Sequence, residues 1–136
     1  MTISASFSFL FLLLLIAAST HPHHLQAAAD EPVVITSVCD ARMIPQGSAF
    51  WGHVGSLLAQ LVDNAPYTPS LSFKTRFGGG DAPAFGEAHC QSSCSPASCH
   101  ACLQQLSYDV WRICNSALGA RVEYPNCGIR YDCNYF

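Results

Sequence analysis

Four of the chain's eight cysteines fall between Cys90 and Cys102, in the stretch CQSSCSPASCHAC. Thiols at this density support three chemistries: thiolate capture of zinc, redox cycling, or closure of disulfides. Cys90, Cys94, Cys99 and Cys102 have the residue types of a zinc site. Cys99-His100-Ala101-Cys102 spells the CxxC of a redox pair at a helix start. Compartment decides among them, because thiols stay reduced in the cytosol and oxidise outside the cell. A cysteine nucleophile would need a histidine, and no local motif joins His53, His89 or His100 to one. No paired carboxylates at glycosidase geometry can be read from the chain. The expectation is therefore a protein that is not an enzyme and needs no metal or cofactor.

The first residues address the compartment. Residues 1–27 read as a signal peptide, with an apolar run from Phe7 to Ala18 that is shorter than a membrane span. Ala27-Ala28-Ala29 supplies small residues for cleavage after Ala27 or Ala29. No Lys or Arg precedes the run, so the amino terminus alone carries its positive charge. His21, His23 and His24 would leave with this leader and form no metal site. About 107 to 109 residues remain, with all eight cysteines and the whole formal charge of −3. An even cysteine count in a small secreted chain reads as a disulfide framework, and the zinc and redox readings recede on that ground. Six Lys and Arg residues leave no electrostatic footprint for nucleic acid. No later apolar run is long enough to span a membrane.

The elements that must position these cysteines follow from hydrophobic period. Val33 to Val38 is short and β-branched, a first strand ending at Cys39. Phe50, Val54, Leu57, Leu58, Leu61 and Val62 recur at three and four behind a candidate N-cap, Ser48, and the helix stops near Asn64, before Pro66. Gly52 and Gly55 each weaken that helix by about 1 kcal/mol relative to Ala, which predicts close packing against them. Leu71 to Phe77 alternates as a half-buried strand, and Gly78 to Asp81 is a turn without the Lys-Ser/Thr ending of a phosphate loop. Ala84 to His89 reads only as a lead into the cysteines. Ser95 and Pro96 open a second helix that runs to about Leu118, with Gly119 as its expected C-cap. Its stripe is Cys99, Cys102, Leu103, Leu106, Val110, Ile113, Cys114 and Leu118, while Glu87 and Asp109 read as solvated charges. Arg121 to Tyr124 and Gly128 to Phe136 alternate as two last strands. The order β, α, β, α, β, β predicts an α+β domain over residues 33–136. It would be one antiparallel β-sheet with two α-helices packed on one face, stapled by disulfides.

The frame Cys90-x8-Cys99-x2-Cys102 lies among further marks: Cys39, Cys127, the run Arg112 to Val122 (RICNSALGARV) and Ile44-Pro45-Gln46-Gly47-Ser48. Together these resemble the ginkbilobin-homologous domain of plants, also called the salt-stress-response/antifungal domain. The likeness covers about Val33 to Phe136 in a single copy. That family includes small secreted antifungal proteins and the paired ectodomain modules of cysteine-rich receptor-like kinases; one copy without a membrane span looks like the secreted branch. The resemblance implies the bridges Cys39–Cys114, Cys90–Cys99 and Cys102–Cys127, a choice that spacing alone leaves open. By chain entropy they would contribute at most about 4.5, 2.7 and 3.5 kcal/mol. Cys94 and Cys133 lie outside the frame. Their evenness suggests a fourth bridge, Cys94–Cys133, with free thiols or an intermolecular bridge as the alternatives.

The resemblance also implies a sugar site. Mannose-binding members use an Asn just after the first framework Cys, an Arg after the second helix and a Glu in the last strand. The matching positions here are Asp40, Arg121 and Asp132. Carboxylates accept from vicinal hydroxyls, and Arg donates in a fork. Asp40 exchanges a neutral donor for a charge, and Asp132 is one methylene shorter than Glu. The bland alternative is that Arg121 only forms an ion pair with Asp40, Asp132 or both. Tyr131, Tyr124 and Trp51 are the candidates for stacking on a sugar, although Trp51 and Trp111 fit helix packing as well. The implied activity is plant defence in the apoplast, with a mannose-bearing glycan of a fungal cell wall as the partner. The competing class is an extracellular protein-interaction module that binds through a sheet edge, and enzyme inhibition is a third.

Overall fold

The computed structural model describes residues 33–136, so the leader expected over 1–27 lies outside the described residues. In chain order the elements are β1 (Thr36–Cys39), α1 (Ala49–Asn64), a short 3-10 turn (Ala65–Tyr67), β2 (Ser72–Phe77) and β3 (Ala84–Cys90). These are followed by α2 (Pro96–Cys114), β4 (Ala120–Glu123) and β5 (Cys127–Asp132). The strands form one antiparallel sheet in the order β1-β4-β5-β3-β2, and both helices pack on the same face of it. The expected α+β architecture therefore holds, with one strand more than the hydrophobic pattern outlined.

That strand is β3, which lies between β5 and β2. Its helix-facing positions are Ala84, Gly86, Ala88 and Cys90, none of them a strongly strand-forming type. They are small because α1 lies directly on them. A Cβ added to Gly86 would stand 2.8 Å from Leu57 Cδ2 and 3.0 Å from Leu61 Cδ1. Across the ladder, Gly86 faces Tyr131 and Ala88 faces Ile129, so large side chains on β5 fill beside small ones on β3. The close approach thus falls at Gly86, not at Gly52 and Gly55. Those two are exposed on α1, and an added Cβ at either meets nothing within 4 Å.

The helices begin where the caps placed them. Ser48 Oγ accepts from Phe50 N at 3.2 Å. Ser95 Oγ accepts from Ser98 N while Ser98 Oγ accepts from Ser95 N, a reciprocal cap ahead of Pro96. The apolar face of α1 is the one the spacing predicts, with Phe50, Val54, Leu57, Leu58, Leu61 and Val62 all buried. α2 ends earlier than expected, at Cys114. Asn115 takes the left-handed cap at φ 43°, a conformation that Asn tolerates better than most residues, and Gly119 caps nothing. Asp109 is a second correction. It is only 5% exposed and accepts from Tyr124 Oη, from Gln105 Nε2 at 3.1 Å and from Arg112 Nη2 at 2.8 Å. This network couples the middle of α2 to the residue after β4.

The three framework bridges are present. Cys39–Cys114, Cys90–Cys99 and Cys102–Cys127 have Cα separations of 5.3, 5.7 and 6.1 Å. Cys99 and Cys102 therefore serve different partners, and their CxxC is not a redox pair. The same bridges remove the thiolates that a zinc site would need. The fourth bridge, Cys94–Cys133, is not formed, and both cysteines are free thiols. Cys94 Sγ lies 3.7 Å from the Asn126 carbonyl, just before β5, whereas Cys133 follows its far end. The six residues of β5 between them span about 20 Å, far beyond the ~6 Å between Cα atoms that a disulfide bridges.

Two predictions follow from this packing. Gly52→Ala and Gly55→Ala should each stabilise the protein by about 0.5–1 kcal/mol, while Gly86→Val should cost about 1–3 kcal/mol, read from thermal or denaturant melts. Burial pushes the Asp109 carboxyl up, but hydrogen bonds from Tyr124 and Gln105 and the charge of Arg112 outweigh it and hold the group below its ordinary value of 3.8. The unfolded chain then takes up that proton first on acidification. Stability held at neutral pH is lost as pH falls below about 4 and through the lower folded value. Asp109→Asn should flatten that acid limb in melts collected from pH 2 to pH 6.

Candidate functional site

The loop after β1 does not leave the sheet at once. Residues 40–44 run antiparallel to residues 116–119: Asp40 N donates to Gly119 O, Leu118 N to Arg42 O and Ile44 N to Ser116 O, each at 2.8 Å. Met43 and Ala117 form a bridge within this run. The zipper starts beside the Cys39–Cys114 bond and continues the β1–β4 ladder outward. It carries Asp40 to the mouth of an open cleft of about 410 Å³, which β4 and β5 complete. Asp40, Arg121 and Asp132, drawn from three separate segments, all line that cleft, together with Val38, Gly119 and Arg130.

The charges inside it are paired differently from the expectation. Arg121 bonds neither Asp40 nor Asp132; its Nε donates to Glu123 Oε1 at 3.2 Å, two residues along the same strand. Glu123 Oε2 meets His89 Nε2 at 3.1 Å across Gly128, which faces both residues and leaves room for the contact. His89 is thus a strand residue of β3. Asp40 is gripped by Arg42 through Nη2 at 2.6 Å, Nε at 3.1 Å and the backbone N at 2.8 Å. The Arg42 side-chain bonds hold the Asp40 carboxyl below the usual carboxylate range. Asp132 Oδ1 accepts from Asn134 N at 2.9 Å, and a Cβ on Gly119 would stand 3.0 Å from its Oδ2. The glycine leaves space for that carboxylate.

No candidate aromatic stacks over the cleft. Tyr131 lines it from beneath but is fully buried. Its hydroxyl donates to Ala117 O at 2.8 Å, and burial pushes its pKa up to about 12. Tyr124 is buried on Asp109. Trp51 is half exposed in a separate shallow cleft beside Met43 and Pro45, with its ring 4.7 Å from that of Trp111. Two site residues escaped the sequence reading. Arg42 follows Asp40 by two, a spacing that allows the carboxylate to bind the backbone and side chain of its neighbour. Arg130 precedes Asp132 by two on β5 and so shares its outer face. Its guanidinium carbon sits 3.7 Å from the centre of the Phe136 ring.

The profile of the salt stress response/antifungal family matches residues 38–134. The chain belongs to this family. Its relatives include an antifungal ginkbilobin-like protein of Picea abies, 40% identical over 104 residues that cover 75% of this chain and 94% of that protein. Antifungal protein ginkbilobin-2 of Ginkgo biloba is 40% identical over 100 residues, covering 72% and 74%. Among solved structures, the tandem DUF26 ectodomain of the Arabidopsis thaliana cysteine-rich receptor-like protein PDLP8 shares the fold. Its TM-score is 0.71 at 21% identity, over 78% of this chain and 51% of that one. The chain spans about half the length of that tandem ectodomain. The antifungal family and the ectodomain fold are not a known enzyme family.

The grip of Arg42 on Asp40 gives a direct prediction. Arg42→Ala should raise the Asp40 pKa toward its ordinary 3.8, read by NMR titration of the carboxyl. An unchanged value would mean that Arg42 does not control this carboxylate.

Proposed function

We propose that this chain is a secreted plant defence protein that acts outside the cell by binding a fungal wall glycan, with mannose as the first ligand. One observation carries the reading: Asp40, Arg121 and Asp132, on three separate segments, line one open cleft. Family membership and antifungal relatives support defence as the setting. In this cleft Arg121 offers its terminal amino groups to sugar oxygens, because only its Nε is engaged by Glu123. Asp132 and Asp40 accept from hydroxyls through the carboxylate capacity their own bonds leave free. Without a stacking aromatic, affinity for a monosaccharide is weak, on the order of millimolar, about −4 kcal/mol.

A second reading rests on the open edge of the sheet. Among the described residues β1 pairs only with β4, and Val33, Ile35 and Val38 are exposed on or just before it. Such an edge suits strand addition by a protein partner. Titration with mannose and mannan separates the two. Arg121→Ala should weaken mannose binding at least about tenfold, the loss of one charged hydrogen-bonding group. Negligible, identical responses from both proteins would remove the glycan reading. Activity that persists in excess free mannose would favour the edge.

A further inference from the structure

We propose that the cleft selects a carboxylated sugar, a uronate residue of an acidic polysaccharide, through Arg121 and Arg130 acting as a pair. The proposal rests on the glycan reading of this cleft and names the class of sugar. Arg121 on β4 and Arg130 on β5 are directly opposite in the ladder, on the sheet face away from the helices. Like charges at such positions repel and destabilise a sheet unless an anion lies between them. Glu123 supplies one to Arg121 through Nε. Arg130, on the other strand, makes no ion pair among the described residues, although Glu87 is its register partner on β3. The Arg130 guanidinium carbon lies 3.7 Å from the centre of the Phe136 ring, a cation–π contact that uses none of its N–H donors in a hydrogen bond. Arg121 keeps its two terminal nitrogens free.

Two acids at or beside the cleft are already paired with cations, whereas Asp132 accepts from Asn134 N. Asp40 is neutralised by Arg42, and Glu123 is shared between Arg121 and His89. Spare capacity is therefore cationic at the Arg pair and hydroxyl-accepting at Asp40 and Asp132. A uronate carries both complements, a carboxylate for the guanidinium forks and ring hydroxyls for the two aspartates. A neutral hexose leaves the Arg–Arg repulsion unrelieved. Lys74 and Arg76 lie exposed on β2 on the same outer face, with Glu87 in register between Lys74 and Arg130 and Lys74 Nζ donating to the Phe136 main-chain oxygen.

The test is an NMR titration of the disulfide-intact protein with D-glucuronate and D-galacturonate, each against its neutral parent sugar, and with D-mannose. Uronates should bind at least about tenfold tighter than their parents, and the preference should shrink at high salt. Arg130→Gln should bring the ratio close to one. Arg130→Lys, which keeps a charge over Phe136 without the fork, should lower it at least threefold. Equal affinity for uronates and neutral parents in the native protein, or a full preference retained in both variants, overturns the proposal. A mannose response with no uronate preference overturns the selectivity alone, whereas silence toward every sugar overturns the glycan reading beneath it.

Discussion

The bond between Cys39 and Cys114 is the constraint on which the cleft depends. β1 is four residues long, lies at a sheet edge and is exposed at every position. Burial of apolar surface cannot hold such a strand, and ladder hydrogen bonds to β4 open readily at an edge. The disulfide fastens its last residue to the last residue of α2, itself seated on the sheet. Asp40 is the next residue, and the zipper of residues 40–44 against 116–119 begins there. The left-handed Asn115 and Ser116 turn the chain from the helix end into that zipper. One covalent link thus fixes the edge strand, the end of α2 and one wall of the cleft.

The two sides of the sheet obey opposite rules. Toward the helices, packing density governs: Gly86 admits Leu57 and Leu61, while Tyr131 and Ile129 lie opposite Gly86 and Ala88 in the ladder. The buried Asp109 is tolerated there because Tyr124, Gln105 and Arg112 satisfy it, and no buried side-chain polar atom among the described residues lacks a partner. On the outer side, charge governs. Arg121, Glu123 and His89 form a chain across Gly128, and Arg130 stands in the next row under Phe136. Glycine serves both sides for the same reason, at Gly86 for a helix and at Gly128 for an ion pair, since each place has no room for a Cβ.

Sulfur chemistry in this protein is architectural. Six cysteines are consumed in three bridges. Burial, and then the neighbouring charge of Asp132, push the Cys133 thiol up, which disfavours the thiolate that nucleophilic or redox chemistry requires. The carboxylate of Asp109 and the charges of the cleft are held in place by hydrogen bonds and ion pairs.

The sequence by itself determined the elements whose signals are local. The caps at Ser48 and Ser95 and the apolar stripe of α1 need only residues a few positions apart, and the structure agrees with them residue by residue. The family frame supplied the three bridges, which spacing could not choose. What only the tertiary structure decided depends on the partner across a gap. β3 was illegible because its inward residues are small, and smallness signals a strand only once a helix is known to lie on it. Asp109 looked solvated because its partner Tyr124 comes 15 residues later, just past the end of β4. Asp40, Arg121 and Asp132 could be named as a set from the resemblance, but the structure pairs two of them with neighbours two residues away instead of with each other. Arg42 reaches Asp40 first and Glu123 lies beside Arg121 on its own strand. Pair energies fall off over a few ångströms, whereas sequence patterns fix positions only along the chain; distances between chains of residues belong to the fold.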